Sequence, residues 1–190
     1  MTTADFNSRT HYEYKNDVNK SDTDRSSNRY EVRLRVRTSR DGLQLMERHR
    51  RSANQDFLAA AIVDGRIQVM YNLGPDRLEG LPLVNSTVVV NDGQWHHLSI
   101  VRVGLYLKAS VDHEPLVTVL STPGASVLNT NGLLYIAGAD VPMKGLKESF
   151  HAGFIGCMRD VRLTDRSIDL KFKVIESTSI SLSQPVRTSD

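Results

Sequence analysis

One cysteine, Cys157, stands among the 190 residues, so no disulfide can form within the chain. Its thiol reads as a small buried apolar side chain. No run approaches the ~20 apolar residues of a membrane helix, and membrane insertion is not expected. The opening residues, MTTADFNSRT, lack the charged and apolar regions of a secretory signal. They read as the start of a piece of a longer secreted chain with an added Met1, or else of an intracellular protein. A sustained helical period is missing too. Lys and Arg total 24 against 22 Asp and Glu, leaving +2, and no aromatics interleave with the arginines. That balance excludes a nucleic-acid partner. Signatures of catalysis are also missing. The chain has no Gly-x-Ser-x-Gly elbow, no Glu-x-Asp-x-x-Glu strand of the sandwich glycosidases and no zinc-ligand spacing. An enzyme is not expected.

What the chain does have is clearest in QDFLAAAIVDGRIQVMYNLGPD, Gln55 to Asp76. Asp64-Gly65 lies between two β-prone runs, and Asp-Gly is the pair that a two-residue type I′ turn demands. The turn sets the register: Val63 faces Arg66, Ile62 faces Ile67, Ala60 faces Val69, Leu58 faces Tyr71 and Asp56 faces Leu73. Because side chains alternate along a strand, Leu58, Ala60, Ile62, Ile67, Val69 and Tyr71 share one apolar face that needs a second layer. The same register carries Asp56 to the open end, beside the backbone of Leu73. A carboxylate and a carbonyl at a sheet rim are half of an oxygen-only cation site.

The remaining segments repeat the strand-and-turn pattern. Ala4 to Tyr14 forms a first strand, and the Asn-, Asp- and Ser-rich stretch from Lys15 to Asn28 a loop. Tyr30 to Thr38 alternates apolar residues with Glu31, Arg33, Arg35 and Arg37, a half-buried strand with a cationic outer stripe. Asp41-Gly42 turns into LQLM, and ERHRRSANQ is a polar loop. STVVV, QWHHLSIVR, LYLKASVD, LVTVL and LLYIAG follow, separated by Gly, Pro, Asn and Asp. Ala139 to Phe150 reads as a loop, and GFIGCMRDVRLTDRSIDL as one or two last strands. His96 and His97 are neighbours in a strand and point to opposite faces. Trp95 reads as a core anchor. Many short strands between turn signals make an all-β, two-layer antiparallel sandwich. It is a single domain over residues 4–180, with a C-terminal tail at 181–190.

Five phrases in order, YEVRLRVRTSRDGLQLM, DFLAAAIVDGRIQVMYNLG, VNDGQWHHLSIVR, GLLYIAG and GFIGCMRDVRL, resemble a laminin G-like (LNS) domain, and ADFNSRTHYEY resembles that family's first strand. The likeness runs from about Ala4 to about Leu170. It implies a jelly-roll sandwich of the concanavalin A-like kind, an extracellular setting and a calcium ion on one rim. That ion would be held by two acidic or amide side chains, two carbonyls and water. Asp56 and the Leu73 carbonyl match the first half of the set. The resemblance places the second half after the GLLYIAG strand, at Asp140 and the carbonyl of Gly138. Without the resemblance, Asp56 and Asp140 read rather as solvated loop carboxylates than as ligands. The chain departs from the family twice. Gly-Pro-Asp follows Leu73 where Gly-Ser-Gly is usual, and the family's cysteine partner for Cys157 is replaced by a tail holding only serines.

Arg48, His49, Arg50 and Arg51 precede Asp56 and belong near the same rim. They are solubilising surface charges, or they form a site for sulfated or uronic-acid glycans, whose anionic groups match the guanidinium fork. Asn19 and Asn85 head Asn-x-Ser/Thr triplets, candidate glycosylation acceptors. The resulting expectation is a non-enzymatic adhesion module that binds a cell-surface receptor or acidic glycan at a calcium-containing rim. The alternatives are a carrier of lipid or steroid between the sheets and a passive spacer.

Overall fold

The computed structural model describes residues 3–7, 10–15, 27–36, 42–48, 56–73, 83–116, 119–120, 128, 133–139, 146–163, 166–167 and 174–176. Its centre is the hairpin of β5 (Phe57–Val63) and β6 (Arg66–Asn72). Asp64 and Gly65 take φ of 50° and 72°, the left-handed pair that a type I′ turn requires. The register follows the turn chemistry at every step from Val63↔Arg66 to Phe57↔Asn72. Position 65 is also crowded. A Cβ there would stand 2.7 Å from the side-chain amide of Asn91, beside the bond from the Val90 N–H to the Gly65 carbonyl.

The hairpin belongs to one of two antiparallel sheets, and the other packs on its inner face. The first has the order β15 (Val174–Glu176), β2 (Thr10–Lys15), β12 (Leu133–Ile136), β4 (Gly42–Arg48), β5, β6 and β7 (Leu83–Val89). The second runs β1 (Thr3–Asn7), β13 (Ile155–Leu163), β3 (Ser27–Val36), β8 (His96–Val103), β9 (Tyr106–Val111) and β10 (Glu114–Pro115). There β11 (Val119–Leu120) pairs with β9 and β14 (Arg166–Ser167) with β13. Leu58, Ala60, Ile62, Ile67, Val69 and Tyr71 from the first sheet share one core with Phe6, Leu98, Ile100, Leu107, Ala109 and Met158 from the second. This is the expected all-β sandwich.

Three expectations change. Ala4 to Tyr14 is not one strand: β1 joins one sheet and β2 the other, so the chain crosses between layers after Asn7. The hairpin is buried on both faces. Phe57, Ala59, Ala61 and Met70 point away from the main core into a smaller cluster with Tyr135, Leu146 and Phe150. Phe150 ends a short 3-10 helix, Glu148–Phe150, that lies over the outside of β5. The unbroken apolar run FLAAAIV is the sequence counterpart of two covered faces. Trp95 is only partly buried and lies outside both apolar clusters. The Arg159 guanidinium sits 4.1 Å from its ring centroid, a cation–π contact on the outer side of the second sheet. The tail expected at 181–190 lies outside the described residues.

Candidate functional site

Each strand of the hairpin has one end at the Asp64-Gly65 turn and the other at the opposite lip. Asp56 lies one step beyond Phe57, and Leu73 one step beyond its partner Asn72, so the two meet across the ladder at that lip. Both are almost withdrawn from solvent, Asp56 at 4% exposure and Leu73 at 3%. A carboxylate this far from water is stable only with hydrogen-bond donors or a cation against it. Arg48 lies in β4 rather than in the expected loop. It pairs with Phe57 on one side and Leu133 on the other, which places its backbone at the same lip. Arg50 and Arg51 lie outside the described residues, as do Asp140 and Asn19.

Gly138 is placed elsewhere. The first residue of β12, Leu133, is level with Phe57, whereas its last, Ile136, aligns through Leu45 with Ala60. At a rise of roughly 3.3 Å per residue, Ile136 stands about 13 Å along the strand direction from the level of Asp56, and Gly138 lies two residues beyond it in sequence. The register therefore brings Asp56, Leu73 and the backbone of Arg48 together and leaves Gly138 beyond the end of β12 that points away from them. Ala137 beside it has φ 67°, and its carbonyl accepts the Phe154 N–H at 2.9 Å. The start of β12, not its end, is the part of that strand nearest Asp56.

A residue absent from the sequence reading also reaches this lip. Arg102, two residues from the end of β8's hairpin, has no exposed surface. Its Nη1 donates to the Gly104 carbonyl at 3.0 Å, and the Tyr71 hydroxyl donates to the Leu105 carbonyl at 3.4 Å. Burial pushes the Tyr71 phenol up to about 12, partly offset by the positive charge of Arg102, so the phenol stays neutral at physiological pH. The parity of Leu98, Ile100 and Arg102 on one strand was the signal available: all three face the core. Among the described residues, no three His, Cys, Asp or Glu side chains gather where they could hold a metal. From the described residues, a calcium ion here would draw on the Asp56 carboxylate and main-chain carbonyl oxygen. Hard cations accept such donors, and the Asp56–Leu73 pair fits that chemistry.

Comparison with known proteins adds independent findings. A family model described as Laminin G domain matches residues 35–166. The chain is 35% identical over 136 residues to the mouse basement membrane-specific heparan sulfate proteoglycan core protein, covering 70% of this chain and 4% of that protein. It is 30% identical over 159 residues to human pikachurin, covering 82% of this chain and 15% of that protein. It thus spans a small part of each relative's length. Among solved structures, domains LG4-5 of the mouse laminin alpha1 chain superpose with a TM-score of 0.76 at 18% identity. That match covers 93% of this chain and 45% of that one, and is a likeness of fold.

Proposed function

The chain belongs to the laminin G domain family, and from that premise we propose that it is a non-enzymatic extracellular recognition module. It engages a cell-surface receptor or an acidic glycan at the lip where β5 begins, with calcium held by the Asp56 carboxylate and the Leu73 carbonyl. The observation that carries this reading is a buried carboxylate one step beyond the last ladder pair, Phe57–Asn72, at the sheet end where Leu73 follows Asn72. Calcium takes six to eight oxygens, so the pair supplies a minority of the shell. The register supports a second half from the Leu133 side, where the oxygen-bearing side chains preceding β12 in sequence are Asn129, Thr130 and Asn131. Asp140 follows the other end of β12 in sequence. A site with so little formal charge binds in the range of about 10⁻⁴ to 10⁻³ M.

Arg48 supports the glycan side of the reading, since its backbone flanks Phe57 and Arg50 and Arg51 follow it in sequence. The carrier alternative is disfavoured by the interior, which is packed with Leu58, Ile62, Tyr71, Ile100, Leu107 and Met158. Calorimetric calcium titration tests the assignment. Asp56→Asn should abolish the heat of binding and Asn129→Ala weaken it, while Asp140→Asn leaves it unchanged. Unaltered calcium affinity in Asp56→Asn removes the proposed site.

A further inference from the structure

At the opposite end of the sandwich, one histidine joins two loops. His96 begins β8 with its side chain turned inward and 7% exposed. Its Nδ1 lies 2.6 Å from Asp112 Oδ2, and its Nε2 lies 2.8 Å from Asp92 Oδ1. Asp92 comes from the segment between β7 and β8. Asp112 comes from the turn after β9, which Asp112 and His113 close at φ of 51° and 72°. Each carboxylate is itself fixed. Asp92 Oδ1 accepts the Gln94 N–H at 2.8 Å, and Asp112 Oδ1 accepts the His97 N–H at 2.7 Å.

An ionised carboxylate only accepts hydrogen bonds, and a neutral imidazole has one N–H to give. Two carboxylate contacts this short therefore need both ring nitrogens protonated. With a neutral ring, one nitrogen lone pair would face an oxygen lone pair. Other charged or titratable groups also lie at this end of the described residues. His97 and His113 have ring centroids 6.0 Å apart, and Arg159 lies over Trp95. Leu34 is the β3 partner of His96, with Arg33 opposite His97. Glu114 is exposed, as are Asp64 and Arg66 at the tip of the facing sheet. The two groups that touch the ring are both anionic.

We infer that His96 is a charge-dependent latch. As an imidazolium it ties the Asp92 segment to the Asp112 turn. On losing its Nε2 proton it keeps Asp112 and releases the Asp92 segment together with Trp95. Asp112 is the side retained because its contact is the shorter and its carboxylate the less exposed, 38% against 48%. Burial by itself draws His96 down. The hydrogen bonds and charges of Asp92 and Asp112 outweigh it and hold the group above its ordinary 6.5. The latch is therefore closed in acid and opens as pH rises through that raised value. Release reaches the outer face of the second sheet through Trp95, which carries Arg159.

Trp95 is the chain's single tryptophan, so its fluorescence reports the release directly. The experiment follows Trp95 emission from about pH 6 to about pH 10 in the unaltered domain and in His96→Gln, Asp92→Asn and His97→Gln. Long-range ¹H–¹⁵N spectra of the histidine rings are recorded alongside. Expected is a His96 midpoint above the ordinary value, with both of its ring nitrogens protonated below that midpoint. The emission step should share that midpoint, vanish in His96→Gln, persist in His97→Gln and move to lower pH in Asp92→Asn. A His96 midpoint at or below the ordinary value, or an emission step that survives His96→Gln, overturns the latch. The ring spectra of the unaltered domain decide the matter even if His96→Gln does not fold.

Discussion

Gly65 and Asn91 meet so closely that a methyl group on the glycine would stand 2.7 Å from the asparagine amide. The contact locks the tip of the β5–β6 hairpin to the segment after β7, where the Val90 N–H reaches the Gly65 carbonyl at 2.8 Å. Gly65→Ala meets two penalties: a side chain at φ 72° and displacement of Asn91. The first should cost about 1–2 kcal/mol and the second little, because the crowded atoms are the movable end of a side chain; the loss is read as a lower urea midpoint. Gly93→Ala, at a similar φ but with nothing within 4 Å of its Cβ, separates the two costs. If both variants lose the same stability, the Asn91 contact contributes nothing.

Phe150 has no exposed surface and fills the outer pocket over Phe57, Ala59 and Ala61. Phe150→Ala should lower stability by about 3–5 kcal/mol in denaturant unfolding followed by circular dichroism. The β5–β6 register should survive, because the turn and the main core set it independently. A loss under about 1 kcal/mol would mean that the outer cluster collapses without penalty.

Stability should depend on pH with opposite signs at two groups. The side-chain bond to His96, then the Gln94 N–H, holds the Asp92 carboxyl below its ordinary 3.8. Its contribution is present above that value and is lost as pH falls through the lower, folded-state value. His96 is held above 6.5. Its contribution is complete below 6.5 and is lost as pH rises through the folded-state value. Thermal unfolding across pH should therefore show a plateau between these limits. Asp92→Asn should flatten the acid limb and His96→Gln the alkaline limb. An alkaline limb unchanged in His96→Gln would assign that loss to another group.

Asn85 is exposed on β7, the last strand of its sheet, and heads the triplet Asn85-Ser86-Thr87. Ser86 points the other way: its Oγ accepts the Ile67 N–H at 3.0 Å and donates to the Val88 carbonyl at 2.9 Å. Passage through a secretory host should add a glycosidase-sensitive mass that Asn85→Gln removes. An unmodified peptide containing Asn85 in intact-protein digests would exclude the site. A glycan there would also shield an outer strand from pairing with another chain.

The features legible in the residues were those decided within a few positions of one another. Asp64-Gly65 dictated the turn, because few residue pairs tolerate two successive left-handed φ values. A two-residue turn then settled the partner of every residue out to the Asp56–Leu73 lip, since strand pairing has no freedom once the turn is made. Adjacency in a strand likewise separated His96 from His97. What the tertiary structure decided was contact between segments far apart in sequence. Nothing local to Ala4–Tyr14 indicates that β1 and β2 join different sheets. Nothing in FLAAAIV names Leu146 and Phe150 as its outer cover. The placement of Gly138 beyond the far end of β12 from Asp56 came from the direction in which β12 runs beside β4, and the second carboxylate on His96, that of Asp112, from a turn 16 residues away. Backbone sterics act over a single turn, whereas layer crossing, strand direction and side-chain encounter are set by how the whole chain buries its apolar surface.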